Sequence, residues 1–246
     1  MTTIAVAGGT GVLGRQVVDA VRRRDLSAVV IARSLGIDLV TGDGLDDALA
    51  GVDAVVDVSN VVALRAKPAI AFFEAAGGNL LSAGERAGVR HHVVVSIVGC
   101  DRVDMGYYYG KRRQEELVRG GPVPWTIVRA TQFHDFAGQL LERSPGPVKL
   151  VPDMLSQPVS ARQLAEHVVD VALGAPAGLA PDVGGPEQHR MPDLARRLVA
   201  HRGDRTKVVS LPVPGKAGRQ IKGGGLLTGE GAVILPETYG AWLATQ

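Results

Sequence analysis

Residues 3–14 read Thr-Ile-Ala-Val-Ala-Gly-Gly-Thr-Gly-Val-Leu-Gly. Thr3–Ala7 is a short apolar run closed by glycine, the pattern of a buried strand. Val12–Arg24 follows with apolar residues at Val12, Leu13, Val17, Val18 and Val21, which is helical spacing. Between them Gly8, Gly11 and Gly14 form G-x-x-G-x-x-G. Gly8 can make the tight turn, Gly11 lets a backbone approach a pyrophosphate, and Gly14 lets the helix pack close to the sheet. The helix N-terminus adds free N–H groups and the positive end of a dipole. A bare glycine motif is weak. Its place after a strand and before an amphipathic helix makes it a dinucleotide signal. The candidate contacts are Gly8, Thr10, Gly11, Val12, Leu13 and Gly14.

Working outward, residues 28–130 alternate β-branched runs with helical stretches. Strands are expected at Ala28–Ala32, Ile37–Val40, Ala54–Val58, His92–Ile97 and Trp125–Ala130. Helices are expected at Pro68–Ala87 and Gly106–Arg119. Strands apolar throughout are buried on both faces, as in a parallel sheet covered by helices. The expectation is an α/β, doubly wound parallel sheet in the order 3-2-1-4-5-6, with ligands beyond the carboxyl ends of the strands. After residue 131 the chain is punctuated by proline and glycine. Helices are expected at Ala161–Leu173 and Pro192–His201, and a strand at Lys207–Leu211. The chain reads as one unit, with a dinucleotide-binding core over 1–130 and a smaller substrate lobe over 131–246 at the sheet's carboxyl edge. Gly223-Gly-Gly follows no apolar strand and reads as a loop.

Composition narrows the function. The chain has 246 residues, 46 % hydrophobic and 21 % charged, which excludes a disordered protein. Glycine occurs 32 times, about twice the ~7 % average, in keeping with tight turns. The net charge of +2 and 4 % aromatic content ask for no nucleic acid. The single cysteine, Cys100, fits a reducing compartment and reads as a packing residue. No apolar run reaches membrane-spanning length and no secretory signal opens the chain. A soluble cytoplasmic protein without a membrane partner is expected, as a monomer or homodimer. No residue set has metal-ligand spacing, so no metal is expected.

An NAD-binding chain places Asp or Glu at the end of the second strand, about 20 residues past the glycines. Here Arg33-Ser34 stands there and no acid appears until Asp38. A guanidinium at that point suits the 2′-phosphate of NADP(H), and Arg15 could add charge; a solvated loop arginine is the alternative. Arg22, Arg23 and Arg24 suit the negative end of the helix dipole. Asp43 reads equally as a partner for the adenine amino group or as a helix N-cap.

Tyr107-Tyr-Tyr-Gly-Lys111 opens the helix after the fifth expected strand. Tyr107 and Lys111, at i and i+4, share a face. An ammonium beside a phenol favours the phenolate, and such a tyrosine can give a proton to a carbonyl oxygen. Three adjacent tyrosines leave the identity of the acid open. His134 follows the sixth strand and is either a proton-transfer group or a structural residue.

At this point the chain resembles the short-chain dehydrogenase/reductase superfamily, in its atypical NmrA-like branch with a Rossmann-type sheet. The carriers are Gly8–Gly14, Gly78-Asn-Leu-Leu, Gly88-Val-Arg-His-His-Val-Val-Val-Ser-Ile-Val-Gly, Tyr107–Lys111 and Pro124-Trp-Thr-Ile-Val-Arg-Ala-Thr-Gln-Phe. Gln157-Pro-Val-Ser and Val183-Gly-Gly-Pro-Glu look like that branch's carboxyl-terminal lobe. The resemblance implies that Lys111 binds the nicotinamide ribose, that Tyr107 is the acid of a Y-x-x-x-K pair, and that Ser59 and Asn60 line the ribose or nicotinamide. Asn79 matches the family's N-L-L asparagine, or is a solvated helix residue. The sequence departs from the family at its catalytic serine: in Ser96-Ile-Val-Gly only Ser96 has a hydroxyl. Gln132, Phe133 and His134 are the candidate substrate contacts. The implied activity is an NADPH-dependent reductase acting on a small, largely apolar carbonyl, quinone or enone. The alternatives are a non-catalytic NADP sensor and an epimerase or isomerase that recycles its cofactor.

Overall fold

The structure, a computed structural model, describes residues 1–246. The elements in chain order are β1 (Thr3–Ala7), α1 (Val12–Arg22), β2 (Ser27–Ile31), α2 (Leu45–Leu49), β3 (Ala54–Asp57), α3 (Ala66–Arg86), β4 (His91–Ile97), α4 (Gly106–Gly120), β5 (Trp125–Ala130) and α5 (Phe136–Arg143). There follow β6 (Val148–Pro152), β7 (Leu155–Ser156), α6 (Ala161–Leu173), β8 (Gly178–Leu179), β9 (Val183–Gly184), β10 (His189–Arg190), α7 (Met191–His201), β11 (Lys207–Leu211), α8 (Gly215–Lys222), β12 (Val233–Ile234) and α9 (Tyr239–Leu243). Unit 1 comprises Met1–Ser96, Met105–Arg129 and Leu164–Ala180; unit 2 comprises Ile97–Asp104, Ala130–Gln163 and Pro181–Gln246.

Unit 1 is built on a parallel sheet in the order β2-β1-β3-β4-β5, with β8 also paired to β5. Each connection carries a helix, as a parallel sheet requires. The strands are β-branched and buried on both faces: Ile4, Val6, Val55, Val56, Val93 and Ile127 are all inaccessible to solvent. Helix α1 turns Leu13, Val17, Val18 and Val21 inward; each such side chain contributes ~1.5–3 kcal/mol by leaving water. That burial fixes the helix whose first turn follows the glycine loop. Arg23 and Arg24, just past α1, pair with Glu166 and Asp170 of α6 at 2.5–2.8 Å. These arginines tie helices together.

The register brings the strand ends level. Ala7 pairs with Ile31 on one side and Asp57 on the other, and Asp57 pairs with Val94. The turns that open at Gly8, Ala32 and Val58 therefore leave one end of the sheet together.

The expected strand at Ile37–Val40 does not form, so the outer position of the 3-2-1-4-5-6 order is empty and β2 is the edge on that side. The reason is local. The Asp38 N–H donates to the Asp43 carbonyl, the Gly42 N–H to the Asp38 carbonyl, the Val40 N–H to Asp38 Oδ1, and the Thr41 hydroxyl to Asp43. These side-chain and turn bonds outcompete a strand ladder. Asn79 on α3 donates Nδ2 to the carbonyls of Leu39 and Val40 at 3.0 and 2.9 Å. It is not a solvated helix residue; it supplies what a missing strand partner would have supplied.

The strands of unit 2 pair in short runs, and only β10-β7 and β11-β6 are two-stranded sheets of their own. β10 runs antiparallel to β7, β11 parallel to β6, and β12 parallel to β9, while Val183 of β9 pairs with Ala130. Helix α7 buries Met191, Leu194, Ala195, Leu198 and Val199. No helix of the chain is long and apolar enough to cross a membrane.

Candidate functional site

The glycine loop divides into residues the fold needs and one it does not. Gly8 has φ +78°, and a Cβ there would lie 2.9 Å from the Ser59 Cα and the Val58 oxygen. A Cβ on Gly14 would collide with the Gly8 carbonyl oxygen and sit 2.7 Å from the Gly9 Cα. Gly11 has an ordinary backbone, φ −74° and ψ 178°, and a Cβ there would meet only the Gly8 oxygen, at 3.3 Å. Any L-residue can adopt that backbone, but a Cβ there presses on the Gly8 oxygen, which would have to give by a few tenths of an ångström.

The loop also holds donors in reserve. Gly11 caps α1 with no side-chain bond, and the amides of Thr10, Val12 and Leu13 take no backbone partner. They are the unsatisfied donors of a helix N-terminus, the groups that take phosphate oxygens. The Arg15 guanidinium is anchored to the Thr10 carbonyl at 2.8 Å, which places its charge beside these amides. This set fits the pyrophosphate of a dinucleotide.

Past β2 the chain makes a short 3-10 turn over Arg33–Leu35, ended by Gly36 at φ +80°. Arg33 and Ser34 are exposed, and the Arg33 guanidinium makes no ion pair or hydrogen bond. Asp43 is not the helix cap it could have been: α2 is capped by Gly44, and Asp43 accepts the Thr41 hydroxyl at 2.7 Å.

At the end of β3 a buried polar chain begins. Asp57 Oδ1 accepts the Ser59 N–H at 2.9 Å, and its Oδ2 accepts Gln114 Nε2 at 2.8 Å. Gln114 Oε1 accepts the Lys111 ammonium, which also donates to the Val95 carbonyl at 2.8 Å. Asp57 and Gln114 are each 1 % exposed and Lys111 3 %. A carboxylate and an ammonium this deep are costly unless compensated; the amide of Gln114 satisfies both at once. The Lys111 Nζ also lies 4.9 Å from the centroid of the Phe73 ring, a cation–π contact.

Tyr107 stands at the head of α4, half-buried, and its hydroxyl donates to Asn60 Oδ1 at 2.5 Å. Its ring packs edge-on to Phe73, centroids 6.0 Å apart. Tyr107 and Lys111 thus flank one ring of α3. The approach depends on Gly110, where a Cβ would lie 2.8 Å from both the Ala69 Cβ and Phe73. Ser96, buried at 2 %, follows Val95 on β4. Tyr108 is buried and Tyr109 exposed, so the three adjacent tyrosines have three different settings.

Sequence reasoning missed Asp57, Gln114, Phe73 and Gly110. Asp57 carried one signal, an acid inside the apolar run Ala-Val-Val-Asp-Val. Gln114 lies three residues after Lys111, a spacing that lets two helical side chains meet.

In unit 2, His134 is 1 % exposed, with its ring 5.6 Å from those of both Tyr239 and Trp242, centroid to centroid. Burial holds its pKa below the usual histidine value. This is the setting of a packed, neutral ring. Its Nδ1 is buried without a hydrogen-bond partner, as are both ends of the Gln132 carboxamide.

With this geometry in view, the chain belongs to the NAD(P)H-binding family, matched over residues 8–173, and its Rossmann-type fold is shared with a solved short-chain dehydrogenase/reductase superfamily protein from Agrobacterium tumefaciens at 19 % identity and a TM-score of 0.68, over 99 % of this chain and 95 % of that one. It is 34 % identical over 146 residues to the (4-alkanoyl-5-oxo-2,5-dihydrofuran-3-yl)methyl phosphate reductase of Streptomyces griseus; the match covers 53 % of this chain and 48 % of that relative, so it spans about half of the relative's length. Among solved structures, MoeE5 in complex with UDP-glucose and NAD superposes with a TM-score of 0.73 at 15 % identity, over 100 % of this chain and 97 % of that one. An NADPH-dependent quinone oxidoreductase from Escherichia coli gives 0.67 at 16 % identity, with 98 % of each chain covered. The structural likenesses show the fold, and the family match shows an NAD(P)H-binding chain.

Proposed function

We propose that the chain is an NADPH-dependent reductase of a small carbonyl, quinone or enone compound. The observation that carries the reading is the start of α1: the amides of Thr10, Val12 and Leu13 take no backbone partner, Gly11 beside them has no side chain, and such a set suits a pyrophosphate. Arg33, exposed and unpaired past β2, supports NADPH over NADH, because its planar fork fits a 2′-phosphate. The name of the Streptomyces relative supports an enone: its substrate is an unsaturated lactone bearing an alkanoyl group and a phosphate.

The nicotinamide cofactor, when bound, supplies the hydride. In this reading the Tyr107 hydroxyl gives its proton to the substrate oxygen and exchanges its bond to Asn60 for the new one. Lys111 holds the ribose and lowers the cost of the phenolate. Gln114 and Asp57 keep the ammonium in place. Ser96 and Ser59 complete the polar lining. Within unit 2, Gln132 and Phe133 are the proposed substrate contacts. The unpartnered carboxamide of Gln132 supports that assignment, since a buried amide without partners is costly until something pairs with it.

A second reading, an NADP sensor without turnover, draws on the depth of Lys111 and Ser96. Assaying NADPH and NADH oxidation against a panel of enones, quinones and aldehydes, beside a binding titration of each nucleotide, separates the two. Turnover with NADPH supports the reductase. Tight NADPH binding with no turnover on any compound replaces it by the sensor.

A further inference from the structure

A cleft of about 340 Å³ lies wholly within unit 2, at the lower end of the size range of small-ligand sites. Lys216, Arg219 and Gln220 of α8 form one wall; at i, i+3 and i+4 they share a helical face. Arg102 lines it too, with the turn at Gly223–Gly225. Three cations line the cleft and no carboxylate does. Asp104 lies 3.4 Å from Lys216 and Asp101 4.0 Å from Arg102, outside the lining. Such exposed pairs are weak and exchange readily for another anion. Arg219 has no ion pair or side-chain hydrogen bond. Gln220 donates Nε2 to the Arg102 carbonyl at 2.8 Å, which fixes the orientation of its amide. Its Oε1 is then left buried with no donor, an unusual state for a polar atom.

We propose that this cleft binds a phosphate monoester. The guanidinium forks of Arg219 and Arg102 and the point charge of Lys216 take the phosphate oxygens. Gln220, held by its bond to the Arg102 carbonyl, keeps that wall of the cleft in place. That the ester is the substrate of the reaction rests on the reductase reading. That the cleft binds phosphate does not.

The dinucleotide loop is the competing phosphate binder, so the test uses the full chain carrying Gly11→Val, titrated with inorganic phosphate in low-salt, phosphate-free buffer by calorimetry. The expected result is one binding event at the wild-type affinity, weakened tenfold or more when Arg219→Ala and Lys216→Ala are added. Circular dichroism confirms that the exposed substitutions leave the fold intact. Loss of phosphate binding in Gly11→Val alone, or unchanged binding after the two cleft substitutions, overturns the proposal. NADPH oxidation is read in a separate arm with the wild-type protein and a panel of enones, quinones and aldehydes: its absence with phosphate binding intact removes the reductase reading and leaves the cleft assignment standing.

Discussion

The Tyr107 hydroxyl donates to Asn60 Oδ1 at 2.5 Å, which ties the head of α4 to the turn after β3. Asn60 Oδ1 also accepts the Val61 N–H at 2.7 Å. A phenol bonded to a neutral amide keeps its proton, ready for a stronger acceptor. Tyr107→Phe keeps the ring against Phe73 and removes only this donor. Turnover is expected to fall by about 10²–10⁴-fold, the usual contribution of a general acid, with the NADPH dissociation constant unchanged. Steady-state kinetics beside a fluorescence titration measure both. Unchanged turnover would remove Tyr107 from the chemistry.

Gln114 is a positioning residue, acting through Lys111. Gln114→Leu leaves the Lys111 ammonium and the Asp57 carboxylate each short of a buried partner. Urea unfolding is expected to show a loss of at least ~2 kcal/mol. A structural role alone would stop there. A positioning role also shifts the pH profile of turnover, because the Lys111 ammonium that flanks the Phe73 ring with Tyr107 is no longer held by an acceptor at 114.

Arg33→Asp puts an acid where the 2′-phosphate is proposed to lie. NADPH binding is expected to weaken by about 1.5–3 kcal/mol, the scale of a hydrogen bond to a charged group, with NADH little affected. Binding of NADH as tight as NADPH by the unaltered protein contradicts the NADP assignment.

The buried histidines set an acid limit on stability. His91, His92, His134 and His167 all have pKa values lowered by burial. For His92 the nearby Asp57 opposes the shift without reversing it. In the unfolded chain these groups titrate near ~6.5. Below that pH the unfolded state binds more protons than the folded one, so stability is full above about 6.5 and falls as the pH drops toward the folded values. Thermal melts between pH 8 and 5 are expected to show this decline, and His92→Leu to flatten it. Parallel curves for the two proteins would show that His92 does not contribute.

The sheet was legible where burial wrote it into the sequence. Val55, Val56, Val93 and Ile127 lie in β-branched runs with glycine or proline nearby, and each run forms its strand. Ile37–Val40 has the same composition, but its register is captured by Asp38, Thr41 and Asp43, whose local bonds no periodicity reports. The site divides in the same way. The glycine loop and the Tyr107–Lys111 spacing are contiguous and could be read directly. The bond from Gln114 to Asp57 joins residues 57 apart in sequence, and Gly110 matters only because Ala69 and Phe73 press on it. Long-range pairing of this kind needs the fold before it can be seen.

The central claim, that a dinucleotide rests on the loop at Gly8–Gly14, is tested most directly by titrating NADPH into the wild-type protein and into Gly11→Val while following the melting of each. The Gly11 backbone is one valine adopts, and its nearest obstacle is the Gly8 oxygen at 3.3 Å. The prediction is a Gly11→Val protein that still folds, destabilised by about 1 kcal/mol because valine is a poor N-cap and presses on the Gly8 oxygen, and that no longer binds NADPH. Wild-type NADPH affinity in a folded Gly11→Val protein would contradict the account.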